Sequence, residues 1–214
     1  MLSQLFDRNK TFKPKKKLEP SNPRYELHKL AQETLAATLG TGNLRESVKV
    51  PDGYDANDWI SVTLLDLFNQ VSLIYGSLCE GCTDKSCPSM TAGPKYEYLW
   101  QDTDKYKTPT KLPAPKYIDV MMDWADKQLS DEAIFPVVPG SKFPSNFLVV
   151  VKSITRRLFR VYAHVYHHHL DEIMAVGAEA HLNTCFRHFM YFSQEFGMLP
   201  VKETEPLKEI IAKI

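Results

Sequence analysis

Net charge is missing from this chain of 214 residues, in which 26 Lys and Arg balance 26 Asp and Glu. A neutral total argues against a protein held to nucleic acid or to a membrane surface by bulk electrostatics, so neither is expected as a partner. Long apolar runs are missing as well. The longest is FLVVV at 147–151, against the roughly 20 residues of a spanning helix, so membrane insertion is not expected. No signal-peptide pattern opens the chain, and neither an internal repeat nor a low-complexity tract is present. Cysteine is scarce and clustered: of four, Cys79, Cys82 and Cys87 fall within nine residues, with Cys185 far away. That spacing suits a metal better than a disulfide framework, which favours a reducing, intracellular location.

What is present is ordinarily globular, with 43% hydrophobic and 24% charged residues in a length that fills one core. The charge is not evenly spread. Residues 1–17 carry six basic residues against one acid, residues 50–84 six acids and no Lys or Arg, and residues 133–170 five basic residues and no acid. Such blocks suggest surfaces built for charged partners.

Residues 1–23, basic and broken by Pro14, Pro20 and Pro23, read as a flexible arm, leaving 24–214 as one domain. RYELHKLAQETLAATLG then predicts a helix that Gly40 caps. Over 57–79, Ile60, Leu64, Leu67, Val71, Ile74 and Leu78 alternate steps of four and three, a single buried stripe. Phe147, Val151, Ile154, Leu158, Val161 and Val165 repeat the pattern over 144–169. Further helices are expected over PKYIDVMMDWADKQLSD, 178–196 and 203–213, and a short β-hairpin over KYEYLWQDTDKYKTPTKL. The fold class that follows is all-α: a helical bundle with a short β-hairpin and a structural zinc site.

The zinc expectation comes from CEGCTDKSC after the first long helix and VYAHVYHHHL at the end of the second. Either Cys82 with Cys87 or Cys79 with Cys82, joined by His164 and one of His167, His168 and His169, makes a Cys2His2 set. Helix geometry leaves the second histidine open: His164 and His168 share a ridge, whereas His164 and His169 lie about 140° apart. A metal would suppress any pH-switch role, because it requires neutral imidazole. A zinc-dependent hydrolase is the alternative, but HHHLDE lacks the spacing of H-E-x-x-H, and two thiolates with two imidazoles fill the sphere. A DNA-reading finger is disfavoured by the more than seventy residues between Cys87 and His164.

Two surfaces are expected to face outward. Trp59, Val62 and Asp66 lie opposite the 57–79 stripe, with Asp55 and Asp58 just before them, an interface anchor unless Trp59 packs on the helix over 25–40. On the other long helix Arg156, Arg157 and Arg160 converge within one turn, with no acid nearby in sequence, as suits a phosphorylated side chain.

Several stretches together resemble the MOB (Mps one binder)/phocein family, in its kinase-activator branch: TFKPKK, ATLGTGNL, NDWISVTLLDLFNQVSLIYG, CTDKSCPSMTAGPKYEYLW, APKYIDVMMDW, FRVYAHVYHHH and EAHLNTCFRHF. The resemblance implies a non-catalytic adaptor whose zinc ligands are Cys82, Cys87, His164 and His169, with the helix perturbed at the last and Cys79 a spare thiol. It implies binding to the basic N-terminal regulatory region of NDR/LATS-type AGC kinases through Asp58, Trp59, Val62, Asp66 and His188, and to phosphothreonine segments of Hippo/MST-type kinases through Arg156, Arg157 and Arg160. Thr11 and Thr38 match positions that those upstream kinases phosphorylate. Tyr54 departs from the family's common acid, which leaves the particular kinase open. Signalling in mitotic exit and cytokinesis follows, with a cytoplasmic location and the nucleus or the spindle pole/centrosome as further addresses. The basic arm is expected to lie over the acidic face until phosphate on Thr11 offsets its charge.

Overall fold

The computed structural model describes residues 17–41, 43–78, 80–138 and 141–214. Most of the basic arm, with Thr11, and the spare Cys79 lie outside the described residues. The elements run α1 (Tyr25–Thr41), a 3-10 turn (Leu44–Val48), α2 (Ala56–Gly76), β1 (Thr91–Ala92), β2 (Tyr96–Glu97), α3 (Ala114–Ser130), α4 (Phe147–His168), α5 (Leu170–Ala175), α6 (Glu179–Glu195), α7 (Val201–Thr204), a 3-10 turn (Glu205–Leu207) and α8 (Lys208–Ile211). This is a helical bundle with one two-stranded sheet. Among the described residues no helix is long and apolar enough to cross a membrane.

Both apolar stripes are buried as their periods require, Ile60 to Leu78 on α2 and the turn after it, and Phe147 to Val165 on α4. The helices pack against each other, α6 adding its side to α2 and α3 to α4. Tyr162 of α4 meets Phe186 and Phe189 of α6 with ring centroids 5.2 and 5.1 Å apart, the offset and tilted geometry that aromatic quadrupoles favour. Asp55 caps α2, its carboxylate accepting from the backbone N–H groups of Asn57 at 2.8 Å and Asp58 at 3.2 Å. This carboxylate therefore serves its own helix.

Several boundaries differ from the sequence reading. The first helix continues through Gly40 to Thr41. The hairpin sits earlier than expected: Thr91 pairs with Glu97 and Ala92 with Tyr96, and within KYEYLWQDTDKYKTPTKL the only ladder contact between described residues is the isolated bridge of Trp100 with Thr110. Two-residue strands carry no alternation to read. The expected helix over 203–213 is cut into α7, a 3-10 turn and α8, because Pro206 has no N–H to donate and its ring crowds the preceding turn.

Candidate metal centre and docking surfaces

α2 is buried almost all round rather than along one stripe. Its second flank is covered by α1: Trp59 and Val62 form a small core with Leu27 and Ala31, and Trp59 is fully buried. The indole Nε1–H donates to the Val48 carbonyl at 2.9 Å. Asp58 and Asp66 are buried too. Asp58 accepts from Arg24 Nε at 2.8 Å, and Asp66 faces His28 Nε2 at 2.8 Å and Gln32 Nε2 at 3.2 Å. His188 of α6 is buried beside this group, with Gln70 Nε2 3.2 Å from its Nδ1; burial pushes its pKa down to about 4, against the pull of Asp66. Of the two readings of Trp59, exposed anchor or packing on the helix over 25–40, the second holds, and the exposed indole is corrected. The period of α2 is compatible with a second partner helix, and α1 supplies one, with Arg24 just before it and His28 on it to meet the acids. Thr38, half-buried near the end of α1, donates its hydroxyl to the Leu35 carbonyl at 2.9 Å.

At the far end of α2 the chain turns sharply. The N–H groups of Gly81 and Cys82 both donate to Leu78 O at 3.0 Å, and Cys87 N–H donates to Thr83 O at 2.8 Å. Thr83 and Ser86 brace the loop by exchanging side-chain-to-backbone bonds. The two thiols so presented meet His164 and His169, and the four ligand atoms lie within 4.8 Å of one another. Cys82 Sγ is 3.5 Å from His164 Nε2, Cys87 Sγ is 3.4 Å from His169 Nε2, and the two Nε2 atoms are 3.3 Å apart. A tetrahedral ion with bonds of about 2.0–2.3 Å has ligand-to-ligand edges of about 3.3–3.8 Å. The edges match.

The choice of histidine turns on a break in the helix. α4 ends at His168, and His169 takes the non-helical angles φ −133°, ψ 12° before α5 begins. The break swings His169 to the side of His164, as the resemblance but not the ridge geometry implies. His168 instead lies 3.0 Å from Thr91 Oγ1 and accepts from the Gly93 N–H, while His167 Nε2 lies 2.9 Å from Pro206 O. Both bystanders secure neighbouring loops.

Tautomers supply the fit test. His164 Nδ1 lies 2.8 Å from the Thr91 carbonyl and His169 Nδ1 lies 3.2 Å from Glu172 Oε1. Both partners only accept, so each Nδ1 carries the proton. The two unprotonated Nε2 atoms then face each other and the two sulfurs, leaving both lone pairs on the side where an ion would sit. Burial pushes the Cys82 thiol up to about 12 and His164 down to about 4, both favouring neutral groups in the absence of an ion; a bound metal holds the thiols deprotonated. The donor set therefore fits a metal ion, and β1 and α5 provide the outer partners that orient its imidazoles.

The three arginines also come together. Arg156, Arg157 and Arg160 line one surface pocket with Leu99, Gln101 and Trp124. Arg157 sits over Trp124, its guanidinium carbon 3.9 Å from the ring centroid, and donates to the Gln101 carbonyl at 2.9 Å. Burial lowers its pKa from the ordinary value. Arg160 donates to the Tyr117 hydroxyl at 2.9 Å. One nitrogen of each guanidinium is buried without an aligned hydrogen bond: Nε of Arg156, Nη1 of Arg157 and Nε of Arg160. The acid-free neighbourhood read from sequence is corrected in space. Glu203 of α7 places Oε1 3.4 Å from Arg156 Nε and Oε2 3.9 Å from Arg160 Nη2.

The Mob1/phocein family profile matches residues 36–207. The chain belongs to the Mob1/phocein family. It is 53% identical to human MOB kinase activator 3A over 213 residues, which span all of this chain and 97% of that protein. It is 52% identical to Arabidopsis thaliana MOB kinase activator-like 1A, covering 96% of this chain and 94% of the relative. Against Drosophila melanogaster MOB kinase activator-like 3 it is 48% identical, over 99% and 94%.

Among the residues that organise this MOB fold, sequence reasoning missed Glu172, Arg24, His28, Trp124 and Glu203. Glu172 stands three residues after His169, a helical spacing that could have found it. Glu203 is remote from the arginines in sequence, and no periodicity points to it.

Proposed function

We propose that the chain is a non-catalytic kinase co-activator in which a structural zinc ion fixes the ends of α2 and α4, and whose arginine pocket takes a phosphothreonine segment of a Hippo/MST-type kinase. Zinc is the ion that two thiolates and two imidazoles in a tetrahedron suit best, and four protein ligands leave no open position for a hydrolase. The single observation that carries the docking reading is the arginine pocket: three arginines line one surface pocket, in a member of a family whose relatives are named kinase activators. Phosphate offers three acceptor oxygens and a charge of about −1.5 to −2 to such a fork.

The second partner in this reading is the basic helical region of an NDR/LATS-type kinase, received by Asp58, Trp59, Val62, Asp66 and His188. Arg24 and His28 occupy the two acids in the free protein, so docking there displaces the start of α1. Phosphate on Thr38 would stand near the negative end of the α1 dipole and loosen its last turns. Phosphate on Thr11 acts through the basic arm. The same reading places the chain in the cytoplasm.

The test is a titration of the zinc-loaded chain with a phosphothreonine peptide, its unphosphorylated form and a basic kinase-derived helix. The phosphopeptide binds through the pocket, and Arg157→Ala weakens it by about 1.5–3 kcal/mol, the scale of a charge-assisted hydrogen bond. Equal affinity for the phosphorylated and unphosphorylated peptides refutes the pocket assignment. Failure of the basic helix to bind, or binding with no loss of hydrogen-exchange protection at the start of α1, refutes the second.

A further inference from the structure

We propose that Glu203 sets the charge threshold of the arginine pocket, so that the pocket accepts a phosphorylated threonine and rejects singly charged carboxylates. The proposal rests on the reading of the pocket as a phosphothreonine site and adds what determines its selectivity. One carboxylate straddles two of the three arginines, and it arrives on α7, about three-quarters buried at the side chain. The segment that carries it is secured on both sides: Met198 before it and Leu207 after it are buried in the main core, and His167 lies 2.9 Å from Pro206 O. Glu203 is thus presented at high effective concentration and gives up little freedom in pairing.

An incoming glutamate or aspartate side chain would exchange one carboxylate for another. Its charge equals that of Glu203, and it alone loses translational freedom, so the exchange is unfavourable. A phosphate brings more charge and a third oxygen. It can also pair with Arg157, which lines the pocket and takes no part in the two Glu203 ion pairs. Asp102, the acid that lines the pocket itself, plays no part in this competition. Its carboxylate accepts from Trp100 Nε1 at 2.7 Å and from the N–H groups of Asp104 and Tyr106 at 2.9 and 2.8 Å, holding its own loop.

The experiment titrates the full zinc-loaded chain with N-acetyl-O-phosphothreonine methylamide and with N-acetylglutamate methylamide, following the arginine Nε–H signals by NMR. Wild type is compared with Glu203→Gln and Glu203→Ala, and Arg157→Ala serves as the pocket control. In wild type the glutamate probe binds at least tenfold more weakly than the phosphothreonine probe. Both Glu203 variants bind both probes more tightly, with the larger gain for glutamate, so the ratio narrows at least threefold. An unchanged ratio overturns the proposal, and so does weaker phosphothreonine binding in the variants, which would make Glu203 a support for the arginines. Phosphothreonine binding that survives Arg157→Ala, or is absent from wild type and variants alike, overturns the pocket reading itself and is distinguishable from failure of the Glu203 proposal alone.

Discussion

Replacing Trp59 tests whether this indole is a docking anchor or the keystone between α1 and α2. The side chain is fully buried among Leu27, Ala31 and Val62, and its Nε1–H satisfies the buried Val48 carbonyl. Trp59→Ala removes the largest side chain of that small core, which by the usual scale of Trp or Phe truncation costs about 3–5 kcal/mol. Trp59→Phe keeps most of the packing and removes the donor. The Val48 carbonyl is then left buried without its partner, at a cost of about 1–3 kcal/mol. For a chain of this size each kcal/mol lowers the melting temperature by about 2–4 °C, so Trp59→Ala should melt roughly 6–20 °C below wild type and Trp59→Phe in between. Circular dichroism through thermal and urea unfolding gives both values. A change within about 0.5 kcal/mol for Trp59→Ala, the size expected of a surface substitution, would refute the buried keystone and restore the exposed anchor.

Three further outcomes are expected. Glu172→Ala should weaken metal binding by about 10–100-fold, measured by competition with a chromophoric chelator, because His169 loses the acceptor that orients it. Gly81→Ala should act in the same direction, since a Cβ there would enter the space of the Glu172 carboxylate; unchanged affinity in both variants sinks the assignment. Arg24→Ala strands the buried Asp58 carboxylate and should cost about 3–5 kcal/mol in urea unfolding, with Arg24→Ala/Asp58→Asn recovering part of the loss; a harmless single substitution would show that the pair is not buried in solution. His188, held near pH 4 by burial, binds its proton more readily unfolded, where its pKa is about 6.5. Its contribution to stability is therefore complete above that value and is lost as pH falls from about 6.5 to about 4, by up to roughly 3 kcal/mol. His188→Gln should flatten the stability profile across that window; parallel profiles would refute the account.

How much of this was legible in the sequence depends on the kind of signal each feature leaves. The stripes of α2 and α4 are periodic, so the helices and the core between them could be read directly. The four metal ligands announced themselves by chemistry and close spacing, but the choice of His169 over His168 depends on a break at one residue that no propensity marks. The place of Trp59, exposed or packed on the helix over 25–40, stayed open because a period reports one apolar face, and α2 has two. Its second face is met by α1, whose match to Asp58 and Asp66 through Arg24 and His28 is a fact of packing. Glu203 joins the arginines only through the fold of the C-terminal segment, and a pairing across that separation leaves no pattern in either stretch.

Arg160 and His164 stand one turn apart on α4, about 40° different in direction around the rod. Coordination of the imidazole therefore fixes the roll of the whole rod, and with it where the guanidinium forks aim. On the proposed reading, chelating the ion would loosen that aim while the aromatic interior still held the bundle together, so that phosphopeptide affinity would fall before the fold itself gave way.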